Sequence, residues 1–268
     1  MDKKVSFICT SYRRYRCVQR IIKQYLLQDY PNKELVILNT DPEYLFTLDS
    51  SLKDKNIIVV NNHVDYAKGE FYTNRGDICR DAVDHATGDY FMLADDDDIY
   101  LPWHIRQAVD GINRNGLDSW KPERSFFKRS DNSLETARNT MEASIIVKMQ
   151  RIRHIGFRSD ATGYEGLSWY TQLRGEGQLN EHEKYYIPSY CFNWGADPFA
   201  GHKQSGDIDN PNNFENHKRN STDISSEPLT PCTDVIVNEL YSDLYDYLKK
   251  HQDQYDPELW QKYVAKYI

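Results

Sequence analysis

Four consecutive carboxylates, Asp95-Asp96-Asp97-Asp98, follow the apolar run Tyr90 to Ala94. Like charges this close raise one another's pKa and destabilise the fold unless something positive sits among them. A divalent cation reverses the sign of that interaction. Mg²⁺ and Mn²⁺ favour oxygen ligands, and Mg²⁺ in particular is held by one or two carboxylates together with substrate phosphates. A diphosphate leaving group on the same metal has its developing charge neutralised as its bond breaks. The run therefore suits a phosphate-linked substrate. A solvated acidic loop or a helix N-terminal cap would use the same residues, so the surroundings decide the weight of the motif.

Elements that could position such a cluster precede it. Val5 to Cys9 reads as a short buried strand. Val18, Ile21, Ile22, Tyr25 and Leu26 then fall on one helical face, and the helix must stop before Tyr30-Pro31. Residues 34–38 and 57–60 are further apolar strands, and Ile78, Ala82, Val83 and Ala86 form a helical stripe that Gly88 ends. A last stripe, Ile105, Ala108, Val109 and Ile112, follows Pro102. Strands alternating with helical stripes predict an α/β fold with a mostly parallel central sheet flanked by helices. In such sheets the ligand lies at the carboxyl ends of the strands. Residues 10–14, 39–41 and 95–98 would line one crevice.

The second half is less regular. Ala143 to Val147 and Tyr185 to Cys191 read as strands added to the same sheet. Residues 203–233 carry no periodicity and are rich in Asn, Ser, Asp and Pro, which predicts a flexible loop or lid. Val237, Leu240, Tyr241, Leu244 and Leu248 restore helical spacing, and a short helix should follow Asp256-Pro257. The expected organisation is one domain over 1–202, divided into 1–115 and 116–202, then the loop 203–233 and a helical extension over 234–268.

The 268 residues carry a formal net charge of −8, which gives no general attraction to phosphate backbones or anionic lipid. No run approaches the ~20 apolar residues of a membrane span, and the opening MDKKVSFICT has no cleavage pattern. The five cysteines, Cys9, Cys17, Cys79, Cys191 and Cys232, contain no C-x-x-C pair. A disulfide framework or structural zinc site is not expected, and a soluble, cytoplasmic protein in a reducing compartment is.

From the first strand onward the chain resembles glycosyltransferase family 2, whose fold is called GT-A. The likeness rests on VSFICTSYRR at 5–14 and the run Gln28 to Ile37, on Gly76 to Val83 with Ala86-Thr87-Gly88-Asp89-Tyr90, and on Asp95 to Pro102. A weaker part is Ala143 to Val147 with Ile155-Gly156-Phe157. These stand in the family's order over roughly residues 5 to 170. The resemblance implies a metal-dependent transfer of a sugar from a nucleoside-diphosphate sugar to an acceptor hydroxyl, with inversion.

It also implies roles. Asp97 and Asp95 would form the D-x-D pair on Mn²⁺ or Mg²⁺, with Asp95 also near the donor sugar. Thr10, Tyr12, Arg14, Asn39, Asp41, Arg80 and Asp96 would serve the donor, Arg80 facing phosphate or bracing the aspartates. Asn39-Thr40-Asp41 stands where the family has Asp-Asp. Glu165-Gly166 stands where it has the Glu-Asp pair that supplies the base, leaving Glu165 or Asp160 for that role. His202 would be a late metal or diphosphate ligand. Trp169 and Trp194 offer indole faces on which an acceptor could stack, or they pack in the core.

Acceptors open to such an enzyme are a glycan, a lipid-linked precursor, a protein, or a hydroxymethylated base of phage DNA flipped from its duplex. Readings of other classes are a metal-dependent phosphohydrolase and a non-catalytic sugar-binding module.

Overall fold

Continuous apolar runs fit strands covered on both faces, and four of them build the centre of the protein. In a computed structural model, residues 2–129, 131–158, 166–180, 182–193 and 223–268 are described. Strands β1 (Val5–Ser11), β2 (Lys33–Asn39), β3 (Ile57–Asn61) and β4 (Tyr90–Leu93) are mutually parallel. Val5 stands opposite both Lys33 and Tyr90, so three carboxyl ends finish near one level. Helix α1 (Tyr15–Leu27) buries Val18, Ile21, Ile22 and Tyr25, the predicted face. Helix α2 (Arg75–Asp84) packs on β1 and β2.

Gly88 has a different reason from the one expected. Helix α2 ends at Asp84 with His85 as its cap, and Gly88 lies beyond it. A Cβ at Gly88 would come within 2.8 Å of the Ser6 backbone nitrogen and 2.9 Å of the Lys4 carbonyl oxygen. The glycine lets the chain entering β4 lie against β1.

Helix α3 (His104–Asn115) follows the short strand β5 (Ile99–Tyr100). Further strands are β6 (Ser119–Trp120), β7 (Arg124–Lys128), β8 (Leu134–Arg138), β9 (Ile146–Lys148) and β10 (Tyr190–Asn193). The large sheet has the order β3-β2-β1-β4-β9-β6, with β9 antiparallel to β4. The expected strand 143–147 is thus shifted, because Glu142–Ser144 form a single 3₁₀ turn ahead of β9.

The expectation that residues 185–191 extend the same sheet is corrected. β10 begins only after Pro188, a residue with no N–H for a ladder, and joins a second sheet of order β5-β10-β7-β8. Helices α4 (Met149–Ile155) and α5 (Leu167–Gly175) pack on each other, with α4 against β4 and β9 of the large sheet, whereas α6 (Asp234–Lys250) shares a second apolar cluster with Ile99, Phe126 and Cys191 of the smaller sheet. Val237, Tyr241, Leu244 and Leu248 of α6 are buried, and the Tyr241 hydroxyl donates to the Tyr100 carbonyl at 2.8 Å. A short helix, Pro257–Leu259, begins after Asp256 and runs into a π-helical turn, Trp260–Val264.

Of the segment 203–233, residues to 222 lie outside the described ones. From Asp223 the chain is tied down. The Asp223 carbonyl accepts from Tyr15 N at 2.9 Å, and Leu229 N donates to Thr47 O while its carbonyl accepts from Asp49 N. Among the described residues no helix is long and apolar enough to cross a membrane. All five cysteines are buried, and none is in a disulfide.

Candidate functional site

The carboxyl ends of β1, β2 and β4 carry Ser11 to Arg14, Asn39 to Asp41 and Asp95 to Asp98, as the parallel topology requires. The four aspartates are not equivalent. Asp96, Asp97 and Asp98 are buried, whereas the Asp95 side chain keeps 18% of its surface exposed.

Each has its own partners. Arg75 pairs with Asp95. Arg14 forks between Asp96 and Asp97, meeting Asp97 Oδ2 at 2.9 Å, and Ser11 Oγ donates to Asp96 Oδ2 at 2.9 Å. Asp98 faces away from these, accepting from the Tyr190 hydroxyl and, at 3.0 Å, from Asn193 N. The Asn193 side-chain amide donates to the Asp97 carbonyl at 3.0 Å. The last aspartate therefore fastens the loop to β10 of the second sheet, Asp96 and Asp97 face the β1–α1 turn, and Asp95 faces Arg75 of α2.

The charge balance follows from those contacts. Burial pushes the Asp96 carboxyl up from its ordinary value, the Arg14 guanidinium opposes that, and the Asp97 charge adds to it. Burial works against the Arg14 cation, but Asp96 and Asp97 outweigh it and hold its pKa well above the ordinary value. Two arginines thus supply positive charge to the quartet, so a dication is not its sole counter-charge.

The β1–α1 turn is set by an unusual backbone. Arg13 has φ +53, a left-handed conformation that is uncommon and mildly costly for a residue with a Cβ. Arg13 points to β2, donating to Asp41 Oδ2 at 2.6 Å and to Glu43 at 2.8 Å, while Arg14 points to β4. The Arg13 guanidinium lies 5.3 Å and 5.7 Å from the ring centres of Tyr12 and Tyr44.

Other residues named from the sequence are placed as follows. Thr10, near the end of β1, and Tyr12, just beyond it, are partly exposed. Asn39 is fully buried and donates to the Tyr44 carbonyl at 2.7 Å, and Asp41 Oδ1 accepts from Glu43 N at 2.8 Å. Both shape the turn after β2. Arg80 is tied to Asp65, Asp77 and Asp81, and the cation that reaches the aspartate loop from α2 is Arg75. Trp169 is fully buried with its ring edge-on to Phe91 at 6.2 Å, which places it in the core rather than on an acceptor surface. Asp160, Glu165, Trp194 and His202 lie outside the described residues.

Sequence reasoning did not single out Ser11, Arg75, Tyr190 or Asn193. An arginine opening a helix and a Tyr-x-x-Asn in a short strand carry no signal until the chain is folded. Glu142, in the turn that packs on β4, was not singled out either. Its Oε2 accepts from Gly166 N at 3.0 Å.

Among the described residues, no three His, Cys, Asp or Glu side chains converge to cage an ion. The partly exposed Asp95 and, two residues on, Asp97 are of the residue type that suits a different donor set. It is one or two carboxylates whose Mg²⁺ or Mn²⁺ is completed by phosphate oxygens of a ligand.

Comparison with known proteins gives one family and one fold. The family model described as "Glycosyl transferase family 2" matches residues 6–172. A fragment of S. aureus TarS, solved in complex with UDP-GlcNAc, superposes with a TM-score of 0.51 at 13% identity, over 71% of this chain and 58% of that one. Glucosyl-3-phosphoglycerate synthase from Mycobacterium tuberculosis, solved with Mn²⁺, UDP and glucosyl-3-phosphoglycerate, gives 0.49 at 13% identity over 66% and 68%. The chain spans about three fifths of the TarS fragment's length. At such identity the likeness concerns the fold alone, which is GT-A.

Proposed function

This chain belongs to glycosyl transferase family 2, and we propose from that premise that it moves a sugar from a nucleoside-diphosphate sugar to an acceptor hydroxyl with inversion, aided by Mn²⁺ or Mg²⁺. The observation that carries the reading is the placement of Asp95 and Asp97. They stand at the carboxyl end of β4, where the ends of β1 and β2 close the other side of the crevice, and Asp95 is the exposed member of the quartet. The TarS complex holds UDP-GlcNAc, which supports a nucleotide donor here.

In this reading Asp97 and Asp95 hold the metal, which when bound supplies positive charge to the departing diphosphate. The turn after β2, shaped by Asn39 and Asp41, together with Thr10 and Tyr12, receives the nucleoside. Arg13 and Arg14 stand close enough to exchange their carboxylates for phosphate oxygens, and guanidinium suits both partners. A carboxylate takes the acceptor's proton as its oxygen attacks, with Glu165 and Asp160 the candidates that the family resemblance offers. Buried cysteines that form no disulfide fit a reducing compartment such as the cytoplasm.

A thermal-shift screen tests this. Uridine, guanosine or thymidine diphosphate, or their sugars, should raise the melting temperature only with Mn²⁺ or Mg²⁺ present, and Asp97→Ala should abolish the response. An unchanged shift in that variant removes Asp97 from the metal. Hydrolysis of simple phosphate esters at comparable rates would favour a phosphohydrolase instead.

A further inference from the structure

Glu142 occupies the space in which residue 166 would carry a side chain. Gly166 N donates to Glu142 Oε2 at 3.0 Å, and a Cβ built on Gly166 would overlap that same oxygen and the carboxyl carbon behind it. A glycine is therefore what gives this carboxylate its room, and a backbone N–H fixes its direction.

The sheet register puts Glu142 beside the candidate centre. β9 runs antiparallel to β4, with Val147 opposite Phe91 and Lys148 opposite Tyr90. Residues just ahead of β9 therefore lie level with those just after β4, and the turn Glu142–Ser144 packs on β4. Ala143 and Ser144 are buried while Glu142 keeps part of its surface exposed. The turn that carries Glu142 thus lies at the same end of the sheet as Asp95 to Asp97, but across β4 from β1.

We propose that Glu142, in place of the Glu165 or Asp160 that the family resemblance offers, is the general base of the transfer, an inference that rests on the inverting reaction proposed above. Inversion requires attack from the side opposite the leaving group. The arginines and carboxylates that suit the diphosphate lie on the β1 side of β4, and Glu142 lies on the other. The acceptor oxygen bonds to the anomeric carbon as its proton passes to the Glu142 carboxylate. The bond from that carbon to the diphosphate oxygen breaks, and its electron pair leaves on the diphosphate. Where the family's pattern has an aspartate at position 166, this chain would deliver the carboxylate from the turn ahead of β9.

The test follows nucleoside diphosphate release from UDP-glucose, UDP-N-acetylglucosamine and GDP-mannose with Mn²⁺, water serving as acceptor. Binding of the same donors is measured by calorimetry. Glu142→Gln should lower release on the order of 10²–10⁴-fold, the usual worth of a positioned base, with donor affinity within twofold of wild type. A wild-type rate in Glu142→Gln overturns the proposal. Should that variant fail to fold, Glu142→Asp shortens the reach while keeping the charge. At least a tenfold loss is expected there, and an unchanged rate again overturns it. A wild-type protein that binds none of these donors defeats the parent reading. One that binds them, and loses no release in the variant, defeats this inference alone.

Discussion

Arg14 meets Asp97 Oδ2 at 2.9 Å with its second nitrogen on Asp96, so one guanidinium occupies the carboxylate that should take the metal. Removing one partner of such a largely buried pair leaves uncompensated charge and typically costs about 3–5 kcal/mol. Arg14→Gln should therefore lower stability by roughly 3 kcal/mol and make the loop more receptive to a dication. Mn²⁺ without nucleotide should then raise the melting temperature of the variant more than that of wild type. Equal shifts in the two proteins would show that Arg14 and the ion do not compete.

The aspartates on either side of that pair should separate in a mutational series. Asp95 is partly exposed and faces Arg75, so Asp95→Asn should stay within about 1 kcal/mol of wild-type stability, as exposed pairs usually do. Its nucleotide-and-metal thermal shift should disappear. Tyr190→Phe, which leaves Asp98 short of a donor, should cost about 1.5–3 kcal/mol, the worth of a hydrogen bond to a charged group. Urea unfolding and the nucleotide shift, measured together on both variants, separate the two roles. A large stability loss in Asp95→Asn would contradict the assignment.

The contrast between those residues also explains what could be read from the chain. Val5 to Cys9, Leu35 to Leu38 and Tyr90 to Leu93 are long apolar runs, because both faces of a central parallel strand are covered. Their order alone put Asp95 to Asp98 at a crevice. The second sheet was harder to read. β5 and β6 have two residues each, and β8, Leu-Glu-Thr-Ala-Arg, has no apolar alternation for a period of two to reveal. The partners of the aspartates were invisible for another reason. Arg75, Tyr190 and Asn193 are brought in from other parts of the chain, and no spacing rule connects them. Trp169 is open to both readings from sequence, since an aromatic residue looks the same on paper whether it stacks on a ligand or fills the core.

That position gives a direct test. Trp169 is fully buried behind Gly166 and against Phe91, so Trp169→Ala should cost about 3–5 kcal/mol, as large aromatic truncations in cores do. Trp169→Phe should fold with a smaller loss and bind donor as wild type does. Chemical denaturation checks the first expectation and calorimetry the second. A Trp169→Ala protein of near wild-type stability would return this indole to the surface.

His104 supplies a pH dependence with a definite sign. It is fully buried between Tyr100 and Tyr190, its Nδ1 lies 2.9 Å from Ser189 Oγ, and its Nε2 has no partner among the described residues. Burial depresses its pKa from 6.5 to about 3. The folded protein therefore keeps the ring neutral while the unfolded chain takes up a proton below about pH 6.5. Stability is unaffected by this group above that pH and falls as the solution is acidified toward pH 3. Between pH 7 and pH 5 the loss from this one residue should be about 2 kcal/mol. His104→Gln, which cannot titrate, should start lower at pH 7 because the packing between the two tyrosines is disturbed. It should then lose about 2 kcal/mol less than wild type over the same interval. Urea titrations of both proteins at pH 7 and pH 5 measure this difference directly. Parallel losses would mean that His104 is protonated in the folded state, and that the acid sensitivity of the fold comes from its carboxylates.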